Sequence, residues 1–276
     1  MTYYFVGEPE FSDWYDIITN HPLVGYSKEP PLEGSVIPLR PEQHHFRGSV
    51  FPRNTDEQYQ TFANKAKFAL YMMQHFPKSI PVTYYYRDGN TRYTNPEWKG
   101  DTGKCIIKPT KGYGALGIHV TNSFDAFRMI KNLPGQSDRS DRLGRNIVIS
   151  EFIPHRSYWV GHFLTINGMI IYRIYFTSES KGLIKRGKIV NYQTVRPGFV
   201  PFDEEVFFQL FKKTGYSGIT CSDFMVKDGQ PLLFEVNPRP GGSLMHDKPV
   251  FNEMIQSLIG AHGCGNAEGI PTSLRP

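Results

Sequence analysis

Two acidic side chains and one amide near the end of the chain have the spacing of a metal-binding site. Asp223 lies in the apolar segment CSDFMV, and Glu235 and Asn237 lie in PLLFEVNP. The Asp228-Gly229 pair between them favours a tight hairpin turn, so we predict two adjacent strands. Glu235 and Asn237 point to one face, and counting back across the turn places Asp223 near them. These hard oxygen donors suit Mg²⁺; the alternative is the polar outer side of an amphipathic hairpin.

A glycine-rich segment, KPTKGYGALGIHV, lies between two apolar runs at residues 108–120. Glycine allows backbone N–H groups to face an anion without an obstructing Cβ, and loops of this kind hold phosphates. No Gly-Lys-Ser/Thr follows, so the segment is not a Walker A loop. A strand rather than a helix is predicted after it, so it is not a dinucleotide fingerprint. The segment therefore predicts either a phosphate-binding loop or a simple glycine-rich hairpin turn.

A third feature is Glu151, which directly follows the apolar run IVIS. A carboxylate and neighbouring backbone groups at the exposed end of a buried strand could bind the edge of an adenine ring. A purely structural role for Glu151 is the alternative.

Hairpins and helices supply the framework for these groups. Three tight turns, Asp88-Gly89, Asn167-Gly168 and Asp228-Gly229, each join two strand-like segments. Apolar residues at helical spacing, with capping and breaking residues, predict five helices. They span residues 12–20, 57–76, 122–133, 203–215 and 249–260. Residues 2–6 and 35–39 read as short strands. Because the turns are hairpins, we predict an α+β fold with antiparallel sheets rather than a doubly wound parallel sheet.

The composition is that of a folded protein with a modest positive charge. The chain has 276 residues, 31 Lys and Arg against 26 Asp and Glu, and a formal net charge of +5. This excess is too small and dispersed to indicate a nucleic-acid partner. No apolar run is long enough for a membrane span, and no signal peptide is apparent. The three cysteines share no short spacing, which predicts free thiols and a cytoplasmic location.

The order of the motifs resembles the ATP-grasp superfamily. Lys108, the glycine-rich loop, Glu151 and the segment FEVNPRPGGS carry the resemblance, which covers residues 60–260. It is closest to the carboxylate–amine ligases that include the carbamoyl-phosphate-synthetase-like and D-alanine–D-alanine-ligase-like enzymes. It implies two α+β lobes with antiparallel sheets clasping ATP, after a truncated N-terminal α/β segment. It also implies ATP and Mg²⁺ as cofactors, with Mn²⁺ as an alternative metal.

The resemblance assigns roles to particular residues. The metal ligands would be Asp223, Glu235 and Asn237, and the catalytic residues Arg239, Arg173 and Lys108. Lys67 is an alternative to Lys65, and pairing with a structural acid is an alternative for Arg173. The implied ATP-binding residues are Lys65, Lys108, Lys111, Gly112, Tyr113, Gly114, Gly117, Glu151, Phe152 and Ile153.

The implied activity is an ATP-dependent ligase that joins a small-molecule or peptide carboxylate to an amine through an acyl phosphate. The alternatives are a phosphotransferase and a nucleotide-binding protein without turnover. Residues 155–158 lack the acidic residue that often holds the ribose. The predicted division is a short N-terminal segment at 1–56, a small lobe at 57–148, a large lobe at 149–262 and a tail at 263–276. The short N-terminal segment leaves the substrate class open, and a homodimer or a partner chain would complete the acceptor site.

Overall fold

Two five-stranded antiparallel sheets and one three-stranded parallel sheet form the framework of the protein. The computed structural model describes residues 2–7, 15–38, 48–89, 91–101, 103–111, 117–131, 146–154, 157–179 and 191–264. The mixture of helices and antiparallel sheets confirms the predicted α+β class.

The small N-terminal sheet is parallel, in keeping with the N-terminal α/β segment that the resemblance implies. Its strand order is β2-β1-β3, and its elements are β1 (Tyr3–Val6), α1 (Tyr15–Thr19), β2 (Gly25–Ser27) and β3 (Ser35–Pro38). The predicted strands at 2–6 and 35–39 are present. The hairpin signals that led to an antiparallel prediction lie elsewhere in the chain. Here the connection between β1 and β2 is a crossover that includes α1, and a crossover returns the chain in the same direction.

Two helices replace the single helix predicted at 57–76. They are α2 (Asp56–Ala63) and α3 (Lys65–His75), and between them Asn64 has an extended backbone. The side-chain oxygen of Asn64 accepts hydrogen bonds from the first backbone N–H groups of α3, and its amide donates to Asp88 Oδ2 at 2.7 Å. Such a side-chain cap competes with helix continuation. The break therefore makes Lys65 the first residue of a new helix.

The first five-stranded sheet has the order β5-β4-β8-β6-β7. Its strands are β4 (Thr83–Asp88), β5 (Thr91–Thr94), β6 (Lys104–Pro109), β7 (His119–Asn122) and β8 (Asn146–Glu151). Helix α4 (Ser123–Lys131) covers one face, where Tyr85, Cys105 and Ile149 belong to a buried cluster with Ala126. The side chains of alternate residues, Lys108 and Val148 among them, point to the other face.

The second five-stranded sheet has the order β11-β10-β9-β12-β13. Its strands are β9 (Ser157–Ile166), β10 (Met169–Glu179), β11 (Gln193–Val195), β12 (Gly218–Lys227) and β13 (Gln230–Asn237). All four residues of the Asn167-Gly168 and Asp228-Gly229 turns have positive φ, which is the conformation that these residue pairs favour. The two predicted hairpins are therefore confirmed.

Three further helices accompany this sheet: α5 (Glu205–Thr214), α6 (Gly242–His246) and α7 (Lys248–Cys264). Phe207 and Phe211 of α5 pack against one face, together with Phe163 and Phe224. The other face packs against α7 and the N-terminal sheet. The sheet is thus covered on both sides.

None of the helices in the described ranges is long and apolar enough to cross a membrane. Cys105 and Cys221 are buried free thiols.

Candidate active site

Asp223 and Glu235 lie directly opposite each other on β12 and β13, and Asn237 lies two pairs further along, opposite Cys221. The amide of Asn237 donates to Asp223 Oδ2 at 3.3 Å and to Glu235 Oε1 at 3.1 Å. The structure therefore brings together the three residues that the hairpin spacing predicts to be close.

A β-bulge at Phe234 produces this alignment. Phe224 pairs with Leu233, and the next pair is Asp223 with Glu235, so Phe234 is the extra residue of the bulge. In a regular hairpin Asp223 would pair with Phe234, and Glu235 would point to the opposite face. The bulge thus places both carboxylates on one face of the sheet.

The two carboxyl groups respond in opposite directions to this shared site. Burial and the charge of Glu235 raise the pKa of Asp223 to about 7, although a hydrogen bond from Tyr158 and the charge of Arg239 oppose the rise. Burial also acts to raise the pKa of Glu235, but the charges of Lys65 and Lys108 outweigh it and hold that pKa below its usual value. Two close carboxylates thus resist carrying two negative charges together.

Two lysines from different parts of the chain approach the same carboxylate. Lys65 Nζ lies 3.4 Å from Glu235 Oε2. Lys108 Nζ donates to the backbone oxygen of Phe234, the extra residue of the bulge, at 3.5 Å. Burial lowers the pKa of Lys108, and the charge of Glu235 opposes this. Since Lys108 belongs to the first sheet and Glu235 to the second, the cluster lies where the two sheets meet.

Arg239 lies in the segment Pro238–Ser243, immediately after Asn237. Its backbone N–H donates to the Asn237 oxygen at 2.8 Å, and its guanidinium donates to the Pro240 oxygen at 2.9 Å. The charge of Arg239 lowers the pKa of Asp223, so the guanidinium lies within electrostatic reach of the carboxylates.

A buried hydrogen bond anchors the segment that carries Arg239. His162 Nε2 and Ser243 Oγ are 2.8 Å apart, and burial lowers the pKa of His162 to about 3, so the ring is neutral. Gly241 lies so close to the sheet that a Cβ there would be 2.4 Å from Cys221 Sγ. The sequence analysis missed His162 and Ser243, and it did not assign Tyr158 to this site. Their proximity depends on strand pairing and offers no local sequence signal, except that PGGS provides the glycine required for close approach.

Arg173, predicted as a catalytic residue, lies apart from this cluster and pairs with an acidic residue. Its Nε donates to Glu204 Oε1 at 2.7 Å, and its guanidinium lies over the ring of Phe208. A bulge at Ile171 pairs Arg173 with Phe163 on the α5 face. Regular pairing would have placed Arg173 opposite His162, on the face of the carboxylates. The alternative of a structural acid as its partner is the one that the structure shows.

The predicted adenine-binding residues lie at the end of β8. The backbone N–H groups of Glu151 and Phe152 donate to Val82 and Lys104 oxygens at 2.8 and 3.1 Å. Glu151 pairs with Cys105 and Val148 with Lys108, so Glu151 is about 10 Å along the strand from the level of Lys108. Because Glu151 pairs with Cys105, its side chain points to the face of the first sheet that α4 covers, whereas Lys108 points to the other face. Ile153 follows at the same strand end and is partly buried.

The glycine-rich segment is only partly described. Lys111 is exposed. Gly117 has a φ of +71°, and a Cβ there would be 3.0 Å from Pro109 Cγ, so a glycine is required at this position. Gly112, Tyr113 and Gly114 lie outside the described residues.

The donor set fits a hard divalent cation. In the ranges that the structure describes, no three His, Cys, Asp or Glu residues form a metal-binding group. The candidate site instead has two carboxylates and one amide. Mg²⁺ is typically bound by one or two protein carboxylates together with nucleotide phosphates, so this set is sufficient.

Comparison with known families identifies the fold. A family model described as an ATP-grasp domain matches residues 62–243, and the chain belongs to the ATP-grasp family. The resemblance predicted from the sequence motifs is thereby confirmed. A comparison with curated protein sequences gave no match.

Several solved structures share this fold at low sequence identity. The L-amino acid ligase from Bacillus licheniformis is 15% identical, with a TM-score of 0.52 and coverage of 95% of this chain and 74% of that one. The D-alanine–D-alanine ligase from Bacillus anthracis, complexed with ATP, is 14% identical, with a TM-score of 0.54 and coverage of 98% and 100%. The phosphoribosylamine–glycine ligase from Thermotoga maritima is 13% identical, with a TM-score of 0.59 and coverage of 94% and 76%.

Proposed function

We propose that this protein is an ATP-dependent carboxylate–amine ligase. It would transfer the γ-phosphoryl group of ATP to a substrate carboxylate, and an amine would then displace phosphate from the acyl phosphate to form an amide or peptide bond. The products would be the amide, ADP and phosphate. The observation that carries the proposal is the cluster of two carboxylates, one amide and two lysines where the sheets meet. Membership of the ATP-grasp family and its similarity to amino-acid ligases support it.

Asp223, Glu235 and Asn237 would hold Mg²⁺, or Mn²⁺ as an alternative. A bound divalent cation would neutralise negative charge on the nucleotide phosphates. Burial, and after it the charge of Glu235, raise the pKa of Asp223, and a bound cation would offset both effects.

Positively charged side chains would hold and orient the phosphates. Lys65 and Lys108 already approach Glu235 from two different elements, and Lys111 lies in the adjoining glycine-rich segment. The planar guanidinium of Arg239 can donate two parallel hydrogen bonds to phosphate oxygens, which suits the charge that builds up during transfer. The segment that includes Gly112, Tyr113, Gly114 and Gly117 would cover the phosphates and exclude water, which protects an acyl phosphate from hydrolysis.

The adenine ring would bind at the end of β8, where Glu151, Phe152 and Ile153 offer a carboxylate and backbone groups. The incoming amine would lose its proton to a phosphate oxygen or to water. Tyr158 and Tyr192 lie near Asp223, but burial and the Asp223 charge raise the pKa of each. Both phenols therefore stay protonated at neutral pH and do not serve as bases.

Hydroxylamine trapping tests this proposal directly. The protein is incubated with ATP, Mg²⁺, hydroxylamine and a pool of amino acids, peptides and small carboxylates, and products are identified by mass spectrometry. Hydroxylamine converts an acyl phosphate into a hydroxamate, so a hydroxamate supports the ligase and its mass identifies the acid. A phosphorylated product without hydroxamate would indicate the phosphotransferase alternative. Binding of ATP without either product would indicate a nucleotide-binding protein.

A further inference from the structure

Glu235 has partners on both carboxylate oxygens in the ligand-free protein. Oε1 accepts the Asn237 amide at 3.1 Å, and Oε2 lies 3.4 Å from Lys65 Nζ. The side chains of Lys65 and Glu235 are only 12% and 18% exposed. Water screens this ion pair less than it would screen a surface pair, so the attraction between the two charges is stronger. A metal ion that binds Glu235 must compete with the Lys65 ammonium.

The backbone of Lys65 is fixed, whereas its side chain is long and flexible. Asn64 caps α3, and the Lys65 N–H donates to the Thr110 oxygen at 2.8 Å, directly after β6. This anchors the start of α3 next to the glycine-rich segment. From a fixed Cα, four rotatable bonds allow the ammonium group to move between Glu235 and a nearby phosphate.

The net charge of the cluster favours binding of metal and nucleotide together over binding of either one alone. At pH 8, above the pKa of about 7 of Asp223, counting Lys65, Lys108 and Arg239 as three positive charges against two ionised carboxylates leaves one positive unit. A divalent cation alone would raise this to three positive units in a partly buried site. Fully ionised ATP alone would give three negative units, whereas the complex of ATP with one Mg²⁺ would give one negative unit. The unliganded and Mg²⁺–ATP states thus carry the smallest charges.

We propose that Lys65 occupies the metal-binding side of Glu235 until nucleotide phosphates draw its ammonium away, so that the metal binds with the nucleotide and not before it. This inference rests on the proposed function, because it uses the same nucleotide and metal site. It adds a second role for Lys65, in which a phosphate-binding residue also controls access to a metal ligand.

Mn²⁺ binding to two lysine variants tests the inference without measuring catalysis. Bound Mn²⁺ is measured by electron paramagnetic resonance at pH 8, with and without the non-hydrolysable analogue AMP-PNP, and with protein in excess over nucleotide. The variants are Lys65→Met and Lys67→Met. Lys67 is exposed, lies two residues away in the same helix and loses the same charge, so it is a matched control.

The expected result is a pair of opposite changes in Lys65→Met alone. The variant should bind Mn²⁺ without nucleotide about tenfold more tightly than the wild type, since an opposite charge at this distance typically changes ionic equilibria by at least that factor. It should bind AMP-PNP more weakly, because a phosphate ligand is lost. Lys67→Met should match the wild type in both measurements. A loosened fold would weaken both kinds of binding and could not produce opposite signs.

Two results would overturn the inference. If the wild type binds Mn²⁺ equally well with and without AMP-PNP, or if Lys65→Met leaves Mn²⁺ binding unchanged, Lys65 does not control the metal site. Either result leaves the ligase proposal standing, since hydroxamate formation is measured separately. If the wild type with AMP-PNP binds no more Mn²⁺ than Glu235→Gln does, the metal assignment itself is wrong and both proposals fail.

Discussion

Replacing Asp223 with asparagine should stabilise the metal-free protein, even though it removes a proposed metal ligand. Burial and the charge of Glu235 raise the pKa of this carboxyl group to about 7, well above the ordinary value for aspartate. At pH 8 folding therefore requires an ionised carboxylate beside Glu235, which is unfavourable. Asparagine has nearly the same shape, has no charge and can still accept the hydrogen bond that Tyr158 makes to residue 223.

The size of the effect follows from the shift in pKa. A shift of about 3 units corresponds to at most roughly 4 kcal/mol of unfolding free energy, at 1.36 kcal/mol per unit. Partial exposure and the shared titration with Glu235 reduce this, so we expect about 1–2 kcal/mol. For a chain of this size that is a rise in Tm of roughly 2–3 °C. The pKa is raised on folding, so the wild type loses this stability as pH rises from about 4 to about 7.

Thermal melts in EDTA at pH 4.5, 6 and 8 test this expectation. The Tm of Asp223→Asn should exceed that of the wild type by a small amount at pH 4.5, by more at pH 6 and by a constant amount near pH 8. Asp228→Asn is the matched control, because Asp228 is exposed in the turn of the same hairpin and asparagine tolerates its positive φ. Added Mn²⁺ with AMP-PNP should raise the Tm of the wild type more than that of Asp223→Asn. A variant that melts at or below the wild-type temperature at pH 8, or gains equally at pH 4.5, would refute the reasoning.

Three further predictions concern the same cluster and its surroundings. Glu235→Gln should lower metal-dependent ADP formation at least about a hundredfold, because it removes a proposed metal ligand and the carboxylate that pairs with Lys65; full activity in a coupled ADP assay would contradict the metal assignment. Mn²⁺ affinity with AMP-PNP should fall by up to about tenfold for each pH unit below 7, since Asp223 must lose a proton to bind metal; a flat titration between pH 5.5 and 8 would contradict this. Arg173→Met should lower the free energy of unfolding by about 1 kcal/mol or less, because its partly exposed ion pair with Glu204 is lost, and Tm should fall accordingly. The affinity for AMP-PNP, measured by calorimetry, should be unchanged.

The hairpins were predictable because their turn residues determine local backbone geometry. Asn-Gly and Asp-Gly pairs favour positive φ, so Asn167-Gly168 and Asp228-Gly229 located both hairpins of the second sheet. Because side chains alternate between the two faces of a β-strand, Glu235 and Asn237, two residues apart, were predicted to lie on one face. The motif order was enough to predict the family.

The remaining features depend on interactions that no short segment contains. The break at Asn64 requires Asp88, 24 residues away, as a partner for its amide. The face on which Arg173 lies depends on a bulge at Ile171, which changes the register within an apolar strand. The contact between His162 and Ser243 joins residues 81 positions apart.

The two bulge residues, Phe234 and Ile171, determine the side of the sheet to which the residues beyond them point. Each extra residue reverses the parity of its strand, so every side chain beyond it changes sides. At Phe234 the reversal brings Glu235 to the side of Asp223, and at Ile171 it removes Arg173 from that side. Pairing the same strands without a bulge would therefore exchange whole sets of side chains between the cleft and the α5 core, whereas deleting the extra residue would give a regular ladder and keep Glu235 opposite Asp223. The two bulges, together with the residue types, thus determine which side chains line the cleft.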